Sequence, residues 1–204
     1  DALAKGEELL ASGNAWQDDI DAATDALIEA MSNLRYVYAR SREEHTAKEC
    51  NRNPYAHFPG FSCLIPRAIF NRVRYCEEIT SYGYEDTLFG KELQAGGIAL
   101  RYIDNPVFHD ITDSSDTFLK KTEIGLTNAR RYQHLMGRHV RILDIQQRLK
   151  RAGLQPAVRL FFALFGGALR RNLLGQHPRL RLFDLYKLGY LARLDHRLSS
   201  GKSI

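Results

Sequence analysis

Cysteine is scarce in this 204-residue sequence: Cys50, Cys63 and Cys76 are odd in number, with no CxxC pair and no Cys/His cluster nearby. That excludes a disulfide framework and a zinc knuckle, and the expectation is buried, reduced thiols in a cytosolic protein. No secretory leader is expected within these 204 residues. Position 1 is Asp, the first Met is Met31, and no basic, apolar and small-residue regions follow one another as in a secretory signal. The sequence therefore reads as a piece of something longer. Long hydrophobic runs are missing too. The most apolar window, Leu160 to Phe165, is flanked by Arg159 and Arg170-Arg171 and falls short of the ~18–20 apolar residues of a spanning helix. There are no internal repeats and no low-complexity tracts, which excludes solenoids and linkers. The apolar fraction of 44% suffices for a packed core and excludes wholesale disorder.

Acids are nearly absent from one part of the chain. Between Arg130 and Ile204 stand sixteen Lys or Arg and only Asp144, Asp184 and Asp195, a net of +13. Residues Asp1 to Ala129 carry thirteen basic and twenty-one acidic side chains, a net of −8, and the two together give the formal +5. This asymmetry divides the chain into residues 1–129, an acidic catalytic body, and residues 130–204, a basic tail suited to phosphate-rich surfaces.

The apolar pattern predicts an α/β body. Asp1 to Lys5 ends a helix, and Glu7 to Ser12 (EELLAS) reads as a short buried strand stopped by Gly13-Asn14. Asp18 to Met31 has helical spacing, with Ile20, Ala23, Leu27 and Ala30 on one face. Leu34 to Arg42 alternates apolar and basic residues, then runs into a polar loop ending in Asn51-Arg52-Asn53-Pro54-Tyr55. Phe61 to Ile65 (FSCLI) reads as a strand, and Pro66 opens a helix over Ala68 to Val73. Glu85-Asp86 begin a helix through Gln94, ended by Gly96-Gly97, and Ile98 to Ile103 (IALRYI) is a further strand. From Asp116 onward the pattern is helical, interrupted near Gly153, Gly166-Gly167 and Gly175 to Pro178. The expected fold is a partial mixed sheet with covering helices, followed by an α-helical basic tail.

The segment Tyr82-Gly83-Tyr84-Glu85-Asp86-Thr87-Leu88-Phe89-Gly90-Lys91-Glu92-Leu93 concentrates the chemistry. Two carboxylates stand where a glycine loop enters a helix, and free backbone N–H groups with the helix dipole favour ionised acids there. A carboxylate so placed serves as a general base, a role that contributes ~10²–10⁴ in rate. Acids in first turns also simply cap surface helices. Trp16, Tyr55, Phe58, Phe61, Tyr82 and Tyr84 fall in predicted loops around the pair, and aromatic rings stack on sugar faces. Tyr82 and Tyr84 adjoin Glu85 and are the nearest candidates.

The order GYEDTLFGKELQAGG, strand, NPVFH resembles the C-terminal part of family 2 glycosyltransferases and the related galactosyltransferase C-terminal module. Asn51-Arg52-Asn53-Pro54-Tyr55, Phe61 to Pro66 and Ile69-Phe70 are similar to the stretch before that loop in bacterial members. So are Lys121-Thr122-Glu123, Gly125-Leu126 and Asn128 after it, and Asn172-Leu173, Pro178 and Phe183 to Tyr190 in the tail. The resemblance spans most of Leu34 to Tyr190. It implies a GT-A-like sheet and inverting, metal-dependent transfer of a sugar from a nucleotide-sugar donor to a glycan or lipid-linked acceptor, as in bacterial surface polysaccharide synthesis. It assigns the general base to Asp86, acceptor binding to Glu85 with Tyr82 and Tyr84, and a metal ligand to His109. The implied ion is Mn²⁺ or Mg²⁺, with Mn²⁺ favoured by the nitrogen ligand. The family's acid-x-acid motif for the donor diphosphate finds no match. Asp18-Asp19 and Asp19-Ile20-Asp21 have the letters but follow Asn14-Ala15-Trp16 rather than a β-branched strand, so the chain is expected to lack the nucleotide-binding half.

In the tail, Leu160, Phe161, Leu164, Phe165, Ala168 and Leu169 form an apolar stripe between Arg159 and Arg170-Arg171. Such a helix can lie on an anionic membrane, which would put the protein in the cytoplasm or peripherally on the inner face of the plasma membrane. The plain alternative is packing on the body with solvated arginines. Two other classes compete with an enzyme: a non-catalytic scaffold, and a nucleic-acid-binding module built on the basic tail. Nucleic acid is not expected, because the tail matches no zinc-finger or RNA-recognition signature and its aromatics lie on the apolar stripe.

Overall fold

The computed structural model describes residues 2–12, 17–31, 33–56, 58–107, 113–137 and 140–200. With 66% helix and no strand or sheet among the described residues, the fold is all-α, and the expected partial mixed sheet is overturned. The helices in chain order are α1 (Ala2–Ser12), α2 (Gln17–Met31), α3 (Leu34–Arg42), α4 (Ala47–Cys50), α5 (Arg67–Arg72) and α6 (Glu85–Ala95). After them come α7 (Ser115–Arg131), α8 (Gln133–Met136), α9 (Arg141–Arg151), α10 (Gln155–Leu173) and α11 (Leu180–Ser199).

Each predicted strand fails for its own reason. EELLAS lies within α1. It has no β-branched residue, and its Glu, Leu and Ala favour helix, as do Ala2 to Lys5, so the helix runs on across Gly6. α1 then pairs with α2. FSCLI stays irregular: Phe61 is 69% and Leu64 98% exposed, so no neighbouring surface supplies the packing that β-propensity expresses. IALRYI stays irregular, outside any helix or ladder. Its backbone is satisfied by other means, because the Asn51 amide donates to Tyr102 O and accepts from Tyr102 N, both at 2.9 Å. The Tyr55 hydroxyl donates to Ile98 O at 2.8 Å, and Ile98 N donates to Leu93 O at 3.0 Å. One side-chain amide thus does for Tyr102 what a neighbouring strand would do.

Helix starts follow local chemistry. Asn33 caps α3 through Arg35 N, Thr46 and Glu49 form a reciprocal capping box at α4, and Ser114 caps α7 through Thr117 N. α3 occupies the segment that alternates apolar and basic residues, and Leu34 and Ala39 are buried on it. Arg35 is buried beside them because its guanidinium lies over the Phe118 ring at 5.3 Å and reaches Glu43 at 2.7 Å. α10 continues through Gly166-Gly167 where an interruption was expected.

Three hydrophobic clusters hold these helices. The first joins Leu34 of α3, Phe118 and Leu119 of α7, Phe162 and Leu173 of α10, and Phe183 and Tyr186 of α11. The second joins Leu126 and Ala129 of α7, Met136 of α8, Leu143 of α9, and Leu191 and Leu194 of α11. The third is built on Phe89 and Leu93 of α6, covered by Tyr55, Phe58, Ile69 and Tyr75. The 1–129 and 130–204 segments therefore share two cores, and α7 itself runs across their boundary. α10 and α11 approach closely at Gly189, where a Cβ would stand 2.2 Å from Phe162 Cδ2. The thiols are less hidden than expected: Cys63 is exposed and Cys50 and Cys76 are half-buried. Cys63 is open to solvent because the 61–65 segment found no partner strand.

Candidate functional site

The GYED loop reaches α6 through two successive residues with positive φ. Gly83 has φ 104°, and Tyr84, the one non-glycine with positive φ among the described residues, has φ 72°. A tyrosine in the left-handed region costs ~1–3 kcal/mol and persists only when its surroundings over-determine it. Here the surroundings come from α7. Gly83 lies against Gly125 so closely that a Cβ on it would stand 2.8 Å from Gly125 Cα. Asn128, 3% exposed, donates to Ser81 O at 2.8 Å and Tyr82 O at 3.1 Å, and its Oδ1 accepts from the Ser81 hydroxyl at 2.9 Å. Gly125 and Asn128 thus clamp the turn that aims the first two side chains of α6.

Those side chains are Glu85 and Asp86. The Asp86 carboxylate is half-buried and accepts from the Tyr75 hydroxyl at 3.2 Å and from Gly60 N at 3.3 Å. Burial raises its pKa most, the Tyr75 bond works against that, the neighbouring Glu85 charge adds to it, and the Gly60 bond opposes. The net direction is upward, which suits a base that must hold a proton transiently. Tyr75 is held in place by stacking on Phe89, ring centroids 4.1 Å apart and nearly parallel. Glu85 carries a buried oxygen, Oε2, with no hydrogen-bond partner. A buried carboxylate oxygen without a donor is costly, and Gln146 Oε1 is the other such oxygen among the described residues.

The aromatic candidates separate. Tyr82 is 53% exposed, with the Lys121 ammonium 5.6 Å from its ring centroid and itself bonded to Asp113 at 2.7 and 2.9 Å. Tyr84 packs on the second hydrophobic cluster and against Gly125, and burial pushes its hydroxyl up to about 12. Tyr55 and Phe58 pack on Phe89, while Phe61 faces solvent. His109 and Trp16 lie outside the described residues. Among the described residues no group of three or more His, Cys, Asp or Glu could hold a metal ion. Glu85 and Asp86 stand together at the loop without a third such residue beside them among the described residues.

Two contacts to Asp86 come from residues that carry no signal in the sequence: Gly60 and Tyr75 belong to none of the motifs above. Gly60 has no room for a side chain: a Cβ would lie 2.1 Å from Asp86 Oδ1 and 2.6 Å from Cγ. Gly60→Ala is therefore expected to displace the Asp86 carboxylate and to lower stability by ~1–3 kcal/mol, read by chemical denaturation. Helix content by circular dichroism should stay unchanged. Unchanged stability would show that the carboxylate has room to move aside.

The site combines a half-buried, hydrogen-bonded Asp86 carboxylate with a Glu85 oxygen that lacks a donor, on a turn with two positive-φ residues and with Tyr82 exposed nearby. Compared with known proteins, the chain matches no family model, no curated protein and no solved structure.

Proposed function

We propose that the chain is the acceptor-binding and general-base part of an inverting glycosyltransferase that uses a nucleotide-sugar donor and a glycan or lipid-linked acceptor. The observation that carries this is the pair at the start of α6: Asp86 with a raised pKa, next to a Glu85 oxygen that lacks a donor. An acceptor sugar offers what each needs. One hydroxyl donates to Glu85 Oε2, and the reacting hydroxyl gives its proton to Asp86. As that oxygen forms its bond to the anomeric carbon, the bond to the nucleotide diphosphate breaks on the opposite face and inverts the configuration. No second carboxylate is needed as nucleophile. Tyr82, half-exposed beside Glu85, supplies a ring face for the sugar. Tyr84 contributes by holding the turn rather than by touching the acceptor, given its packing on α7.

The sequence resemblance supports the same roles, since Gly125 and Asn128 belong to its quoted residues and brace the base-bearing loop. It also places the donor diphosphate, with Mn²⁺ or Mg²⁺, on an acid-x-acid motif that these 204 residues do not match, with His109 as a further ligand. The proton transfer above involves only Asp86 and Glu85. The test is transfer by the full-length protein from a panel of nucleotide sugars to oligosaccharides, with the product anomer assigned by NMR. Inverted configuration is expected. A retained anomer overturns the mechanism, and Glu85→Ala should raise the acceptor KM without changing donor affinity.

A further inference from the structure

α10 has two contrasting sides. Phe162, Gly166, Leu169 and Leu173 are buried toward the rest of the fold. On the opposite side Leu160 is 62% exposed, Phe161 37%, Leu164 67% and Phe165 51%, and Leu154 extends the same face at 49%. From Leu154 to Ala168 this face is apolar over four turns, or ~21 Å at 1.5 Å per residue. Large exposed apolar patches on one helix mark a surface that something covers.

The charges around the face say what covers it. Residues 145–183 contain no acid and eight basic side chains. α9 ends in exposed Lys150 and Arg151, the chain turns at Gly153 with φ 69°, and α9 and α10 meet at 115°, so these cations precede the face by only a few residues of chain. Arg171 is exposed at the other end of the face, and Arg159 and Arg170 lie along one flank, three turns apart. Arg170 is ion-paired with Asp116, whereas Lys150, Arg151, Arg159 and Arg171 have no ion-pair partner among the described residues. A second copy of this chain laid on the face would bring two fringes of like charge together, which disfavours self-association. No single helix among the described residues is long and apolar enough to cross a bilayer.

We infer that the exposed face of α10 docks on an anionic lipid surface, lying in the headgroup region with Leu160, Phe161, Leu164 and Phe165 toward the acyl chains. Lys150, Arg151, Arg159 and Arg171 then meet lipid phosphates and carboxylates around the apolar strip. This goes beyond the transferase assignment and stands or falls without it, because it concerns α10 and not the Asp86 loop.

The test is co-sedimentation of the chain with phosphatidylserine–phosphatidylcholine vesicles and with pure phosphatidylcholine vesicles, at low and high salt. Binding to the anionic vesicles is expected at low salt, with release as salt screens the arginines. Arg159→Gln with Arg171→Gln should weaken partitioning about 30-fold, that is, about 1 kcal/mol for each basic residue at 1.4 kcal/mol per tenfold. Leu160→Glu with Leu164→Glu should abolish binding without altering thermal unfolding, because both side chains are already exposed. Absence of binding to anionic vesicles at low salt overturns the inference. So does binding that the two Glu substitutions leave intact, which would place the contact elsewhere. Concentration-dependent self-association without vesicles, lost in the Glu variant, would assign the face to a second copy and overturn it equally.

Discussion

Asp86→Asn is expected to lower turnover of the full-length protein by ~10²–10⁴ while leaving the fold as stable as before or slightly more so. Both parts follow from the surroundings of the carboxylate. Asn keeps the shape and can accept from Gly60 N through its one carbonyl oxygen while its NH2 donates to the Tyr75 hydroxyl, the two partners now at 3.3 and 3.2 Å, but it cannot take a proton from an acceptor hydroxyl. The stability sign comes from linkage. The folded pKa of Asp86 lies above its unfolded value, so between the two values the folded state binds more protons. Stability contributed by this group is present below that window and falls as pH rises through it. At neutral pH the ionised Asp86 therefore detracts from stability, and its removal costs nothing. A carboxylate that only capped α6 would behave in the opposite way, since losing a cap destabilises by roughly 0.5–2 kcal/mol. The pH profile gives a further check. Turnover should fall as acid protonates Asp86, with its midpoint above the ordinary aspartate value, and this limb should vanish in the variant. Turnover within threefold of the parent would place the base elsewhere.

Asp195→Ala should destabilise the fold by ~3–5 kcal/mol, read by chemical denaturation at neutral pH, a large share of the ~5–15 kcal/mol typical of a domain. Asp195 sits on α11 with its side chain only 8% exposed, and it collects three helices. It accepts from Arg130 of α7, from Gln146 of α9 at 3.0 Å and from Gln155 of α10 at 3.2 Å. Deletion strands the Arg130 charge and leaves Gln146, whose Oε1 already lacks a partner, with neither amide group satisfied. Burial works to raise the Asp195 pKa, but the bonds from Gln146, Arg130 and Gln155, with the Arg130 charge, outweigh it and the net shift is downward. The sign is then opposite to that of Asp86. The stabilisation is present above the unfolded value, near ~3.9, and is lost as pH falls through the depressed folded value. Asp195→Asn, which keeps the hydrogen-bond acceptor, should lose clearly less than Asp195→Ala. Equal loss would mean that the charge, rather than the shape or a single acceptor oxygen, holds the junction.

The local signals in the sequence determined a good deal. Asn33, Thr46 and Ser114 cap helices because each can bond backbone N–H groups two or three residues ahead. The 3.6-residue apolar period located α2 and the tail helices. Paired acids after a glycine turn marked the start of α6, and the scarcity of acids after Arg130 marked the basic surface of α10. Strand identity was another matter. FSCLI and IALRYI have β-forming composition, but a strand exists only when a second backbone meets its N–H and C=O groups, and no local pattern encodes the presence of that neighbour. Instead the Asn51 amide took the Tyr102 backbone. EELLAS reads as a short buried strand, but short apolar runs look alike in strand and helix, and it forms one helix with Ala2–Lys5 across Gly6, packed on α2. The site divided in the same way. Glu85, Asp86 and Tyr82 were visible as chemistry placed on a turn. Tyr75 and Gly60, which hold the Asp86 carboxylate, come from separate loops and carry no motif. Side-chain type and spacing are written along the chain, whereas burial, pKa direction and the approach of Gly60 to Asp86 depend on contacts between distant residues, which only the folded chain brings together.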